Sequence, residues 1–142
     1  MENIEKILGK YGWLKRKENI NINFQQIEDM TGFKLPLDYK MYAENFYGNE
    51  NSIGNEYVRL WDCETELLEA NEDYEIFKNL KKTIAIGGNG GGEFIGIQNF
   101  RNNELRIILC PFMGMSEEYF IEIGKSFTDF LISLENGKNW FE

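Results

Sequence analysis

Residues 83–97, TIAIGGNGGGEFIGI, place six consecutive residues drawn only from Gly and Asn between two apolar runs. Such a stretch serves either a loop whose amides grip phosphate or a tight link between two strands. Gly87 and Gly92 have the spacing of a phosphate-binding loop, but Glu93 and Phe94 follow them. That loop needs a lysine for the terminal phosphates and a hydroxyl residue for magnesium. A carboxylate there repels phosphate instead, by about 1 kcal/mol at about 4 Å even in the dielectric of water. The dinucleotide pattern fails as well, because Gly88-Asn89-Gly90 requires a further glycine where Glu93 stands. Either loop must also open a helix whose amides face the phosphate, whereas Phe94-Ile95-Gly96-Ile97 has strand character. The stretch is therefore expected to connect strands. Gly and Asn tolerate the positive φ of tight turns, and missing Cβ atoms let another backbone approach.

Other chemistry is narrowed by what the chain lacks. It contains no histidine, which removes imidazole acid–base chemistry, Ser-His-Asp and Cys-His catalysis, and histidine metal sites. Cys63 and Cys110 are the only cysteines and form no CxxC pair. They are too few for a zinc site or a disulfide framework and fit a reducing compartment. Carboxylates remain, without the spacing of a calcium loop. A carboxylate-dependent enzyme stays open as a minor reading and requires paired acids with one pKa raised. The sequence otherwise predicts no catalytic residue, no metal and no cofactor.

The chain has 142 residues and 15 Lys and Arg against 24 Asp and Glu, a formal charge of −9. That length suits one domain with a genuine core. The sign of the charge argues against direct nucleic-acid binding, which Lys and Arg drive, and suits a basic partner. No apolar run is long enough for a membrane span. The N-terminal segment also lacks the pattern of a secretory signal, so a cytoplasmic monomer is expected.

The elements that position these residues follow from periodicity. Ile4, Ile7, Leu8, Tyr11 and Leu14 make one helical stripe. A second helix is predicted over residues 24–30, with Asn23 as its cap and Thr31-Gly32 as its end. In LPLDYKMYAENF, Pro36 suits a first helical turn, and Tyr39, Tyr42, Ala43 and Phe46 form the buried face. Residues 47–56 read as a polar loop. Residues 57–61 read as a strand with Val58 and Leu60 opposite Tyr57, Arg59 and Trp61. Asp62 then caps a helix over 63–77 with Leu67, Ala70, Tyr74 and Phe77 on its apolar face. Four short strands follow near 84–86, 94–98, 105–109 and 119–123, with a hairpin turn at Asn102-Asn103. Ser126 caps a last helix that buries Phe127, Phe130, Leu131 and Leu134 and closes at Gly137. Trp13, Trp140 and Phe141 are expected in core or terminal packing. The order of elements predicts an α+β domain, a mostly antiparallel twisted sheet packed with N-terminal and C-terminal helices.

The run IEDMTGFKLPLDYKMYAENFYG, residues 27–48, resembles the opening signature of the SUKH superfamily at Glu28, Leu35, Pro36, Tyr39, Phe46 and Gly48. Ile86-Gly87, Gly91-Gly92-Glu93, Pro111-Phe112 and SFTDFLISL at 126–134 resemble its later motifs in the same order. The likeness extends over about residues 20–137 of a single domain spanning 1–142. One departure is the loop after Phe46, YGNENS in place of the common Asn-Gly-Gly. The superfamily includes a fungal cell-wall assembly regulator and bacterial immunity proteins. The resemblance implies a non-enzymatic chain that binds a cognate toxin, often a nuclease, and blocks its active site. The alternative it implies is an interaction module with a regulatory or scaffolding role.

Seven acids and no Lys or Arg lie between Asp62 and Glu75. They form either a solvated helix face or the charged half of an interface beside Trp61, where aromatic anchors and carboxylates suit an Arg-rich partner. The candidate partner-binding residues are Tyr57, Trp61, Asp62, Glu64, Glu66, Glu69, Asp73, Asn89 and Glu93. Tyr57, Trp61 and the glycine turn are expected to line one concave edge of the sheet. Glu93 has a second reading, as an acceptor for amides of its own turn.

Overall fold

Helix α1 (Glu2–Lys10) buries Ile4, Ile7 and Leu8. Its stripe stops short of the expected residues, because Gly12 turns the chain at φ 96° and leaves Leu14 exposed. The structure, a computed structural model, describes residues 2–141. Helix α2 (Phe24–Thr31) begins under Asn23, whose side chain accepts the Gln26 amide at 3.1 Å, and ends at Gly32 in the left-handed region. Helix α3 (Leu37–Asn45) starts after Pro36 and buries Tyr39, Tyr42 and Ala43, with Phe46 buried just beyond.

The next segment corrects the sequence reading. Within the expected polar loop lies strand β1 (Asn49–Ile53), paired antiparallel with β2 (Glu56–Leu60). Only Ile53 of β1 is buried, so the strand carries no hydrophobic alternation. Its outer side is held by asparagines instead. Asn49 and Asn51 donate to the Gly12 and Tyr11 carbonyls at 2.9 and 2.7 Å.

Strands β3 (Thr83–Gly88), β4 (Glu93–Arg101), β5 (Glu104–Pro111) and β6 (Ile121–Gly124) complete a six-stranded antiparallel sheet in chain order. The β4–β5 turn places Asn102 and Asn103 at φ 42° and 67°, as the hairpin reading required. β6 starts later than expected, because Tyr119 ends a short 3-10 turn over Glu117–Tyr119. Helix α6 (Phe127–Glu135) is capped by Ser126, which accepts the Asp129 amide at 3.0 Å. It buries the four apolar residues the periodicity chose.

Residues 63–77 are not one helix. They form a turn, then α4 (Leu67–Asp73) and α5 (Ile76–Asn79), separated by Glu75 at φ 56°. The break buries Ile76 and leaves Tyr74 about half exposed, at 47%. Asn71 of α4 is fully buried and bonds both the carbonyl and the amide of Ala85, at 2.8 and 2.9 Å. β2 pairs with β3 only at Arg59–Gly88 and Leu60–Gly87. Asn71 thus replaces the missing strand partner where β2 has departed. All six residues of β3 are buried, so both of its faces are covered. Trp13 and Trp140 join the core, whereas Phe141 is exposed, contrary to the packing expected for it.

Candidate partner-binding groove

The period of a strand sends Tyr57 and Arg59 of β2 to the side away from buried Val58 and Leu60. Trp61 follows β2 and is buried, not exposed with its neighbours of the same parity as the alternation implied. Its amide donates to the Ile86 carbonyl at 2.9 Å, so the chain turns inward as β2 ends. The Trp61 ring stacks on Tyr74, with centroids 6.3 Å apart and planes 11° apart. Tyr74 packs in turn on Phe112 at 4.3 Å. This aromatic row is the floor of a surface groove.

Two adjoining hollows share Arg59, Trp61 and Tyr74. The larger, about 500 Å³, is bounded by Glu66, Glu69 and Asp73 from the α4 side. The smaller, about 250 Å³, is bounded by Glu50, Tyr57, Gly88, Gly90 and Phe112. Arg59 lies between them, its guanidinium 3.5 Å from Glu50 and 3.4 Å from Glu66. Glu69 and Asp73 are exposed and make no ion pair among the described residues. A hydrogen bond to Glu50 raises the pKa of the Tyr57 phenol above its ordinary value.

The glycines earn their places by geometry. A Cβ on Gly87 would collide with the Arg59 carbonyl, so only glycine lets β2 cross β3 there. Gly90, at φ 74°, lies under the Tyr57 ring, where a Cβ would come within 2.9 Å of Tyr57 Cδ2. Asn89 braces the turn through its side-chain oxygen, which accepts the Gly91 and Glu93 amides at 2.9 and 3.2 Å. The Glu93 carboxylate accepts the Asn89 side-chain amide at 2.8 Å, and its carbonyl accepts the Asn89 backbone amide at 3.1 Å. The turn is thus built as a strand connection, in which Glu93 accepts an amide through its carbonyl and Asn89 supplies the side-chain acceptor.

Of the residues proposed from sequence, Tyr57, Trp61, Glu66, Glu69 and Asp73 converge on the groove. Four do not. Glu64 is exposed beside Cys63 at a separate small hollow. Asn89 and Glu93 are spent on each other and their turn. Asp62 is buried and corrects the reading of it as a contact and as a helix cap. Its carboxylate accepts the Gly48, Glu64 and Thr65 amides and pairs with Arg16 at 3.2 Å. Burial alone would raise its pKa, but the Gly48 amide, Arg16 and the Glu64 amide outweigh it and hold the carboxyl below its ordinary value.

Arg59, Tyr74, Glu50 and Phe112 were missed as site residues. One signal was available: Arg59 is the only Lys or Arg between Lys40 and Lys78, directly ahead of the acidic run. Tyr74 was assigned to an apolar helix face, and nothing in the spacing announces the left-handed residue that turns it outward.

The helix triplet ahead of an antiparallel meander, closed by α6, defines an α+β domain of the SUKH kind. The chain belongs to the SMI1 / KNR4 family (SUKH-1), whose sequence profile matches residues 21–133. Among curated proteins none matches it. The residues that carry the likeness are structural. Glu28 accepts the Leu35 amide at 2.7 Å and pairs with Lys40 at 2.9 Å. Tyr39 and Phe46 are buried, and Gly48 lies so close to the Asp62 backbone that a Cβ would not fit.

Proposed function

We propose that this chain is an immunity-type binding protein that neutralises a cognate toxin domain by occluding its active site. The observation that carries the reading is the groove: an aromatic floor under carboxylates, two of them without a partner cation among the described residues, on a member of this family. Aromatic anchors beside unpaired charge are the makings of a protein interface, and acidic charge facing a basic surface speeds encounter. The reading involves no catalysis and no cofactor. The pKa values of Glu28 and Asp62 are both lowered, the reverse of the raised acid that a paired-carboxylate enzyme needs. Among the described residues, no helix is long and apolar enough to cross a membrane.

The test is a pull-down with the polypeptide encoded immediately upstream, its toxic domain inactivated, at low and moderate salt, paired with co-expression of the active form. A stable complex with suppressed toxicity is expected. No complex at either salt would overturn the toxin reading. A regulatory interaction module, the alternative that the resemblance implies, would then be sought by its partner.

A further inference from the structure

The groove already holds one guanidinium, the chain's own. Arg59 is half exposed and lies between Glu50 and Glu66, beside Trp61 and Tyr74. Glu69 and Asp73 border the same hollow with no cation against them among the described residues. The hollow of about 500 Å³ is wide enough for a second such group. Resting on the interface reading above, we propose that this groove is the seat of a single arginine side chain presented by the partner. Its guanidinium lies against the half-exposed side of Tyr74, whose ring already packs on Trp61 and Phe112, and is bound by Glu69 and Asp73, next to Arg59. Arginine is favoured over lysine for two reasons. Its planar fork matches paired carboxylate acceptors, and it packs against partly buried aromatic surface with less hydration to lose than an ammonium. Arg59 pairs with Glu50 and Glu66 and leaves Glu69 and Asp73 as the acceptors for an incoming cation on the α4 side.

The test uses the isotope-labelled full chain and a short blocked peptide with one arginine, set against its lysine and citrulline counterparts. Amide and indole signals are followed in about 25 mM and about 150 mM sodium chloride. The arginine peptide is expected to shift the Trp61, Tyr74 and Gly90 signals saturably, about threefold more tightly than the lysine peptide. Citrulline should leave those signals in place. The paired substitution Glu69→Gln and Asp73→Asn should weaken binding about fivefold. Glu2→Gln with Glu118→Gln, which removes the same charge elsewhere, should not. Equal binding of arginine and lysine, shifts outside the groove, or equal loss in both double variants would overturn the seat. The same spectra show that each variant is folded. A toxin complex that survives Glu69→Gln/Asp73→Asn with unchanged affinity would also overturn the seat, while leaving the immunity reading standing. Arginine binding without any toxin complex would do the reverse.

Discussion

Asp62 ties together parts of the chain that are remote in sequence. Arg16, which reaches it, also donates to the Ala43 carbonyl at 3.2 Å and lies 5.1 Å from the Tyr47 ring centroid. Asp62→Asn leaves the Arg16 charge buried without its partner, and a loss of about 3–5 kcal/mol in unfolding free energy is expected by urea titration. The pH dependence follows in sign. Asp62 and Glu28 have folded pKa values below their unfolded ones, so their contribution is complete above the unfolded values, about 4. It is lost as pH falls through the folded values. Wild-type stability should therefore drop below about pH 4, and Asp62→Asn should show a shallower fall across that window. Cys63 gives a second prediction at this scale. Burial pushes its thiol up to about 12, and Cys110 is raised by the same cause. Alkylation by iodoacetamide near neutral pH should be slow in the native protein and fast once urea unfolds it, at a rate that tracks opening.

Between elements, the junction of β2, β3 and α4 decides whether the groove exists. Asn71→Ala removes the partner of both backbone groups of Ala85, and a destabilisation of about 2–4 kcal/mol is expected by urea unfolding. Gly87→Ala drives a Cβ into the Arg59 carbonyl. Hydrogen exchange of the Trp61 amide, which is held by Ile86, should accelerate in that variant while amides in α6 keep their protection. This junction is also where the sequence was hardest to read. Helix faces built on Tyr39, Tyr42, Phe127 and Phe130 were legible because buried aromatics recur at helical spacing. The hairpin at Asn102-Asn103 and the glycine turn were legible because positive φ selects those residue types. β1 was not legible, since asparagine side chains hold it where buried apolar residues normally would. The break at Glu75 was missed because the acidic run keeps helical propensity through a position that packing forces out of helix. Half of the site hinges on that break, which frees Tyr74 to face the groove. The signature shared with the family marks residues that hold the fold, so it located the domain and left the binding face to charge and aromatic content.

For the whole molecule, the proposed interaction assigns the formal charge of −9 to attraction at a distance and the groove to contact. Opposite charges between separate proteins accelerate encounter in a salt-dependent way, while aromatic anchors set how long the complex lasts. Reversal of Glu66, Glu69 and Asp73 to lysine should therefore slow association strongly, and any fall in the urea midpoint should trace to Glu66 alone, which accepts the Asp62 amide at 2.9 Å and pairs with Arg59. The most direct test is the association rate with the polypeptide encoded immediately upstream, the proposed toxin in inactivated form, measured by stopped flow for wild type and this triple variant across a salt series. The account predicts a rate at least about tenfold lower for the variant at low salt, with the two converging as salt rises. Equal rates across the whole series would place the interface on another face of the protein.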